Sequence, residues 1–410
     1  MTNDAPDMNQ KMRRPRVAYL LPDAGIGLWD SRKGSSIHAR SMIRAFAAEG
    51  CDVDIYTMRA GKGKPETGTF KAHVVHQSGL TKWWLRHFVT GHPDAPNWMI
   101  AVGWLLWQRD FYRHARRGCR KRRPDLIYAR SSWFAWPAAK LSRHLGVPMF
   151  LEVNAVFTIE KADRGELAFA GLTRRIEKGI YEAARKILPV SAEIKEQIVE
   201  YGIEPDKIVV TPNAVDLDLF HPAEPQPNGR FTVGAVNSMR GYHGMETLLR
   251  AAKIARERIP NFKLLLIGGG QRLEEVKSFA ASLDLGDTVE FTGIIDHQKV
   301  PKRLAECAAC AAPYEGEVNQ YNCPMKLYEY MAMKIPIVAS RWGDIPNIVT
   351  DGETGLLHAA ADPQSLAEAI FKIHDDPEGA RRRAEAAYAL AEKHTWRATA
   401  RRVLDWSRER

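Results

Sequence analysis

The sequence lacks the two features that would indicate a secreted or membrane-spanning protein: paired cysteines and a long apolar run. Five cysteines are scattered along 410 residues, an odd number that argues against a disulfide framework and for a reducing cytoplasm. No stretch approaches the roughly 20 apolar residues that a membrane-spanning helix needs. Residues 1–15 contain no apolar segment of the signal-peptide kind, so we expect a disordered lead-in there.

Recognisable metal ligands are also missing. Cys307 and Cys310 form a C-x-x-C pair, but the pair has no second set of ligands and lies in an apolar run. Core packing is therefore favoured over a zinc or redox role. We find no other convincing ligand set, and we expect neither a metal ion nor another bound cofactor.

Positive charge is abundant and unevenly distributed. The formal net charge is +10, and eight of the fifteen residues 109–123 are Lys or Arg. Aromatic side chains beside a basic cluster suit contact with an anionic membrane, here through residues 82–123; a core-packing helix followed by a solvated basic loop is the alternative. No nucleic-acid recognition module is present, so nucleic acid is not an expected partner. The aromatic residues are Trp83, Trp84, Trp98, Trp104 and Trp107.

Apolar, β-rich runs alternate with helical stretches along the whole chain, which is too long for one ordinary core. Near-continuous apolar strands between helices indicate parallel sheets covered on both faces. Two successive sets predict an α/β protein of two doubly wound, Rossmann-like domains that face each other across a cleft. Strands are predicted at 16–22, 52–57, 125–130, 147–153, 186–190 and 208–213, and then at 231–236, 263–268, 288–293, 307–314 and 336–340.

The proline-rich residues 211–230 have the composition of a linker. We therefore predict a first domain at 16–213 and a second at 214–390. Residues 391–410 form a basic amphipathic helix that follows the last predicted strand, and we expect it to pack back on the first domain.

The segment 321–332, YNCPMKLYEYMA, poses a chemical question. Pro324 suits the first position of a helix, and most residues after it are apolar, yet Lys326 and Glu329 share one face. Ligands of open α/β sheets bind beyond the carboxyl ends of strands, where this helix begins. A cation there suits a pyrophosphate, and Glu329, about 9 Å along the axis from Cys323, suits a ribose diol. The alternative is an ion pair along the helix, worth only about 0.2–0.5 kcal/mol.

Two other loops follow predicted strands and contain small residues. Gly34 and Ser35 precede His38 at the start of a helix, where exposed N–H groups suit an anion or a sugar hydroxyl; a plain N-cap is the alternative. Gly268 and Gly269 end a buried strand, and either a closely approaching ligand or a tight turn explains them.

Together these residues resemble the retaining glycosyltransferases of family 4, which have the GT-B architecture. The resemblance runs over about residues 16–406. Its most specific part is CPMKLYE, which is similar to a Ser-Pro-x-Lys-x-x-Glu motif of one subgroup, with Cys323 in place of Ser. It implies transfer of a sugar from a nucleotide-diphosphate donor to an acceptor hydroxyl with retention of configuration. By analogy the acceptor is a glycan or a lipid-linked glycan of polysaccharide assembly, reached from the cytoplasm at the inner face of the membrane.

The resemblance also implies a role for each site residue. Arg240, His243 and Lys326 would bind phosphate, and Glu329 would bind ribose. The remaining donor-side residues would be Gly268, Gly269, Asn322, Cys323, Pro324, Met325 and Leu327. The acceptor side would be lined by Gly34, Ser35, His38, Arg130 and Asn154.

Three positions depart from the family pattern. Tyr321 stands where many members have the first of two acidic residues, His243 stands at a Lys position that Arg240 is placed to replace, and Asn154 stands at the position of a His. These departures leave open a non-catalytic nucleotide-sugar-binding or partner subunit. A nucleotide-sugar epimerase on the same architecture is a second alternative, whereas a dinucleotide-dependent dehydrogenase is disfavoured because neither half carries a G-x-G-x-x-G loop.

Overall fold

The computed structural model describes residues 13–30, 33–62, 70–222, 229–316 and 323–409. Most of the predicted lead-in, together with Tyr321 and Asn322, lies outside these residues. The first six strands are β1 (Arg16–Leu21), β2 (Asp52–Thr57), β3 (Phe70–Val74), β4 (Leu126–Arg130), β5 (Met149–Val153) and β6 (Lys186–Pro189). The next six are β7 (Phe231–Asn237), β8 (Phe262–Gly268), β9 (Val289–Phe291), β10 (Ala309–Ala312), β11 (Ile337–Arg341) and β12 (Leu356–Ala359).

Helices connect and cover these strands. In the first half they are α1 (Gly34–Ala48), α2 (Gly79–Phe88), α3 (Asn97–Lys121), α4 (Trp136–Leu145), α5 (Phe157–Asp163), α6 (Ala170–Ala183) and α7 (Ala192–Val199). In the second half they are α8 (Met245–Arg258), α9 (Leu273–Ser282), α10 (Val300–Leu304), α11 (Met325–Ala332), α12 (Ile345–Ile348), α13 (Pro363–Asp375), α14 (Pro377–Ala391) and α15 (Trp396–Arg408).

The strands form two parallel sheets of six, which confirms the predicted α/β class with two doubly wound units. The first sheet has the order β3-β2-β1-β4-β5-β6 and the second β12-β11-β10-β7-β8-β9. Each sheet therefore reverses its direction of growth once, between β1 and β4 in the first and between β7 and β10 in the second. Ligands of such sheets bind beyond the carboxyl ends of the strands at these reversals.

The central strands carry the core. β1, β4 and β5 are buried almost throughout, as expected for strands that are covered by helices on both faces. One apolar cluster includes residues of both sheets, among them Ile127 and Leu151 of the first and Ile267 and Ile337 of the second.

The strand predictions fail at the sheet edges and at the linker. β3 and β12 were not predicted, because each lies at the edge of its sheet and lacks a long apolar run. The predicted strand 208–213 does not form. Val209 and Thr211 donate backbone hydrogen bonds to the carbonyls of Ile187 and Pro189, but the pairing stops at Pro212, which has no N–H to donate.

The C-terminal helix α15 lies against the first sheet. Trp396, Ala400, Val403 and Leu404 recur on one face of the helix and join a cluster with α1 and β1. Glu49, just beyond α1, accepts hydrogen bonds from two arginines of α15. The last element of the chain thus stabilises the half of the molecule in which the chain began.

The tryptophan-rich and basic segment forms two helices, α2 and α3, packed on each other. The basic residues 109–121 belong to the second half of α3, so the alternative of a solvated basic loop is wrong for most of the cluster. Trp83 and Trp98 are 50% and 46% exposed, which is unusual for this residue type. Among the described helices, none is both long and apolar enough to cross a membrane.

Candidate active site

A cleft of about 530 Å³ lies between the two sheets, at the carboxyl ends of their strands. Because both reversal points face it, residues far apart in the sequence meet there. From the first half, Gly34, Ser35, His38, Arg130 and Asn154 line the cleft. From the second half, Arg240, His243, Gly268, Gly269, Cys323, Pro324, Met325, Lys326 and Glu329 line it.

Helix α11 places Lys326 in the wall of the cleft. Its Nζ donates a hydrogen bond of 2.6 Å to Oδ1 of Asn237 at the end of β7 and lies 4.8 Å above the ring of Tyr314. Burial lowers the pKa of Lys326 to about 7, although the nearby carboxylate of Glu329 acts to raise it. Lys326 is thus a half-buried amine without a bonded anion, which favours an anionic ligand.

Glu329 lies one turn further along α11 and, unlike Lys326, is buried. Its Oε1 accepts a hydrogen bond of 2.8 Å from Nε2 of His297. No ion pair within 4.0 Å joins Glu329 to Lys326, although both side chains are described. The alternative of an ion pair along the helix is therefore not what holds these two residues in the buried wall.

His243 lies beside Lys326 as a neutral imidazole. The backbone N–H of Arg240 donates to its Nδ1 at 3.1 Å, which places the proton on Nε2. Burial, with Lys326 and Arg240 nearby, lowers the pKa of His243 to about 2. His243 therefore offers a hydrogen-bond donor to the cleft and not the positive charge that the family's Lys would supply, whereas Arg240 is an exposed cation at the rim.

Gly268 is required by the fold whether or not a ligand binds. Its φ is +114°, and a Cβ atom would lie 2.2 Å from the carbonyl oxygen of Asn237. A Cβ atom at Gly269 would meet only ordinary contacts, with Ile294 and Leu273, so the fold does not require a glycine at this position of the cleft wall.

On the opposite wall, the acceptor-side residues converge on Glu152. Its Oε1 accepts hydrogen bonds from Arg130 at 2.7 Å and from Asn154 at 2.6 Å, and Tyr128 donates to Oε2 at 2.9 Å. Burial acts to raise the pKa of Glu152, but neighbouring His38, the guanidinium of Arg130 and the hydrogen bonds from Asn154 and Tyr128 hold it below its usual range. The carboxylate therefore stays ionised and orients the polar groups around it.

His38 belongs to the same network. Arg130 donates to its Nδ1 at 2.5 Å, and the edge of its ring meets Trp396 of α15 with centroids 4.5 Å apart. Burial lowers the pKa of His38 to about 4, so it is neutral and carries its proton on Nε2. Helix α15 thus supports a residue that lines the cleft.

Two sequence models of known families match the chain. The model described as Glycosyltransferase Family 4 matches residues 32–219, and that described as Glycosyl transferases group 1 matches residues 230–376. Between them they cover every strand of both sheets except β1. The chain is a family 4 glycosyltransferase.

Curated relatives of this glycosyltransferase match it over most of their length. A D-inositol 3-phosphate glycosyltransferase of Arthrobacter sp. is 27% identical over 400 residues, which is 91% of this chain and 89% of that protein. A glycogen synthase of Mycobacterium tuberculosis is 24% identical over 381 residues, which is 92% of this chain and 89% of that protein.

Solved structures show that the glycosyltransferase has the GT-B fold. A sucrose-phosphate synthase of Thermosynechococcus elongatus superposes with a TM-score of 0.73 at 21% identity, covering 96% of this chain and 98% of that one. Anabaena HepE in complex with UDP-glucose superposes with a TM-score of 0.70 at 17% identity, covering 95% and 99%.

One predicted donor-side residue of the glycosyltransferase lies away from the cleft, and another, Pro324, lines it but precedes the helix. Leu327 is completely buried in the core and does not line the cleft, because one step along a helix turns a side chain by about 100° away from Lys326. Pro324 precedes α11 as its N-cap, with φ −71° and ψ 114°, instead of forming its first turn.

Three polar residues of the site were not predicted. Asn237 ends the largely apolar strand β7, and Glu152 lies within the apolar strand β5. A polar residue in such a strand can be recognised in the sequence. His297 lies in a turn without any such signal, and its role becomes visible only through its contact with Glu329.

Proposed function

We propose that this glycosyltransferase moves a sugar from a nucleotide-diphosphate donor to an acceptor hydroxyl with retention at the anomeric carbon. The donor would bind the wall formed by the second sheet, and the acceptor would bind the wall formed by the first. The observation that carries the proposal is that Lys326 and Glu329 share the cleft-facing side of α11 without pairing. A cation and a carboxylate held apart in one wall fit a ligand that carries both a diphosphate and a diol.

The leaving diphosphate would be stabilised mainly by electrostatics. Lys326, Arg240 and the N-terminus of α11 supply positive potential, and the Nε2–H of neutral His243 supplies a hydrogen bond. A phosphate oxygen of the departing group would receive the proton of the acceptor hydroxyl, so no protein base is required. We therefore propose transfer without a metal ion.

The acceptor wall fits a hydroxylated substrate. Arg130 and Asn154 are oriented by Glu152, and neutral His38 presents Nε2–H, so this wall combines a fixed cation with neutral hydrogen-bonding groups. The relative from Arthrobacter sp. is named for a sugar-like phosphorylated acceptor, D-inositol 3-phosphate, and Anabaena HepE is bound to UDP-glucose. Both names are compatible with the proposed class of reaction.

We further propose a lipid-linked glycan acceptor reached at an anionic membrane surface. Trp98 and Arg109 of α3 are 11 residues apart, about three turns or 16 Å along one face of the helix. Arg113 and Arg120 continue this face and are exposed. An exposed aromatic end followed by a basic stripe suits a helix that lies on anionic lipid.

Thermal shifts with UDP-, GDP- and ADP-sugars test the donor site. We expect one nucleotide family to raise the melting temperature of the wild type, because a ligand that binds only the folded state stabilises it. Glu329→Ala should abolish the shift, and Glu353→Ala, at an exposed site of the same half, should keep it. No shift with any nucleotide at millimolar concentration would contradict the proposed donor site.

The stereochemical outcome needs a separate measurement. Donor turnover with water or a simple acceptor should release a product of the donor's own anomeric configuration, read from its proton coupling constant before mutarotation. The rate should be unchanged in excess EDTA. A product of inverted configuration would disprove retention, and loss of activity with EDTA that added metal restores would disprove metal-free transfer.

A further inference from the structure

His297 is the residue that holds the carboxylate of Glu329. It lies in the short turn before α10, its side chain is 17% exposed, and its Nε2 is 2.8 Å from Oε1 of Glu329. Phe220 of the linker packs against the imidazole with ring centroids 5.1 Å apart. Phe220 thus packs against the imidazole of His297, and the ring nitrogen Nε2 is hydrogen-bonded to one carboxylate oxygen of Glu329.

This contact leaves the other carboxylate oxygen for a ligand. Among the described residues, Oε2 of Glu329 has no hydrogen-bond partner, and the residue lines the cleft. A carboxylate oxygen can accept a hydrogen bond from a ribose hydroxyl. The oxygen held by His297 also retains a second lone pair.

His297 also keeps Glu329 away from Lys326. The two side chains lie three residues apart on one helix, a spacing at which opposite charges meet. Asn237 accepts a hydrogen bond from the amine of Lys326, and His297 is hydrogen-bonded to the carboxylate of Glu329. The two charged groups are therefore each bonded to a third residue and not to each other. Without His297, the nearest strong partner for the carboxylate would be the amine of Lys326.

We infer that His297 is a positioning residue that aims Glu329 at the donor ribose and thereby selects ribonucleotide over 2′-deoxyribonucleotide diphosphate donors. This inference rests on the proposed ribose role of Glu329. It adds the donor class, a ribonucleoside diphosphate sugar, and a residue that acts through another.

Binding of matched nucleotides tests the inference. Dissociation constants are measured by calorimetry for UDP, GDP or ADP, whichever binds the wild type, and for its 2′-deoxy counterpart. The wild type should prefer the ribonucleotide by about tenfold or more, the scale of a hydrogen bond to a charged group. Glu329→Gln gives the preference that remains when the carboxylate is absent.

His297→Leu should lower the preference to the value of Glu329→Gln by weakening ribonucleotide binding, with 2′-deoxynucleotide binding changed less than threefold. His297→Gln, which retains a donor N–H, should restore at least half of the lost preference on a logarithmic scale. The double variant His297→Leu/Glu329→Gln should show no further loss, because both changes remove the same contact.

The outcomes separate the two proposals. If His297→Leu weakens both nucleotides equally, or keeps the wild-type preference, His297 has only a structural role and the inference is wrong. If Glu329→Gln itself keeps the wild-type preference, the ribose role of Glu329 is wrong, and the proposed donor site fails with it.

Discussion

Burial lowers the pKa of three basic side chains in the walls of the cleft, so that His38 and His243 are neutral at pH 7 and Lys326 loses its proton near that pH. The pKa is lowered to about 7 for Lys326, about 4 for His38 and about 2 for His243. The energetic cost of burying a base is carried by the folded protein. A ligand with negative charge that binds beside such a base offsets part of this free-energy cost. The stability of the free enzyme and its affinity for the donor are therefore linked.

Lys326→Met should therefore stabilise the free protein while removing donor binding. Each unit of pKa shift corresponds to about 1.4 kcal/mol, and the unpaired Oδ1 of Asn237 offsets about 1–3 kcal/mol of the gain. We expect a net increase of about 2–4 kcal/mol in the free energy of unfolding by urea at pH 6. Lys302→Met, at an exposed lysine, is the control and should change neither quantity; a destabilised Lys326→Met would contradict the account.

Donor affinity should fall as the pH rises above about 7. The free enzyme loses the proton of Lys326 near this pH, whereas a bound diphosphate raises the pKa of the amine and keeps it charged. Binding then takes up one proton, so the dissociation constant should rise by up to tenfold per pH unit between about 7 and 9. Nucleotide sugars suit this calorimetric measurement, because their diphosphate does not titrate in the range; a flat profile would show that Lys326 is already charged in the free enzyme.

At the scale of elements, helix α15 is held by its apolar face. Trp396 is 6% exposed and packs against His38 and the first sheet. Trp396→Ala should lower the free energy of unfolding by about 3–5 kcal/mol, the usual range for removing a large buried aromatic side chain. Trp406→Ala, at a half-buried position of the same helix, should cost less; equal costs would show that α15 is not anchored at its N-terminal end.

Helices α2 and α3 should bind anionic membranes. Loss of two basic residues near a lipid surface removes about 2 kcal/mol, roughly a 30-fold change in partition. Arg109→Glu/Arg113→Glu should therefore strongly reduce flotation with phosphatidylglycerol vesicles, and Trp83→Ser/Trp98→Ser should reduce it as well. Vesicles of phosphatidylcholine should bind the wild type weakly.

Controls for vesicle binding are available elsewhere on the surface. Leu172→Ser removes an exposed apolar residue of α6, and Arg381→Glu/Arg382→Glu reverses two exposed charges of α14. Both should bind vesicles like the wild type. If they lose binding to the same degree, overall charge and hydrophobicity account for the attraction, and α2 and α3 are not a specific surface.

The strands in the centre of each sheet could be predicted from the sequence, as could the edge strands β6 and β9, but the edge strands β3 and β12 could not. β1 and β2 were predicted to within one residue, because two covering layers require an apolar run. β3 and β12 were missed, because an edge strand is covered less and needs no such run. The linker shows the opposite case: residues 208–213 have the apolar pattern of a strand, but their hydrogen bonds to β6 stop at Pro212, which has no N–H to donate.

The candidate site shows a similar division. Lys326 and Glu329 stand out locally, as charges on an apolar helix. Their partners Asn237 and His297 are 89 and 32 residues away, and only the reversal of strand order in the second sheet brings them together. Local spacing predicts which charges face a ligand, whereas tertiary contacts decide which of them remain charged.

At the scale of the whole molecule, buried neutral histidines should make the enzyme sensitive to acid. The unfolded chain protonates His38 and His243 near pH 6.5, but the folded chain does so only at about 4 and about 2. Between these values the unfolded state binds more protons, so stability is retained above pH 6.5 and lost as the pH falls.

Each histidine should contribute a loss of up to about 1.4 kcal/mol per pH unit below 6.5. His243→Gln keeps a hydrogen-bonding side chain that does not titrate, and it should make the urea-unfolding free energy fall less steeply between pH 6 and 4. An unchanged slope in this variant would show that His243 is protonated in the folded protein.

The chain crosses between its two halves twice, and the two crossings are bonded to each other. Val215 of the linker donates its N–H to His394 and accepts from the N–H of Trp396, so the outgoing and returning segments lie side by side. Because the two connecting segments are hydrogen-bonded to each other, they define a single hinge axis between the two halves. We expect any opening and closing of the cleft to be a rotation about this axis, because sliding or twisting of one half on the other would break these bonds. Such a motion has one main degree of freedom and would return the two walls to the same alignment each time.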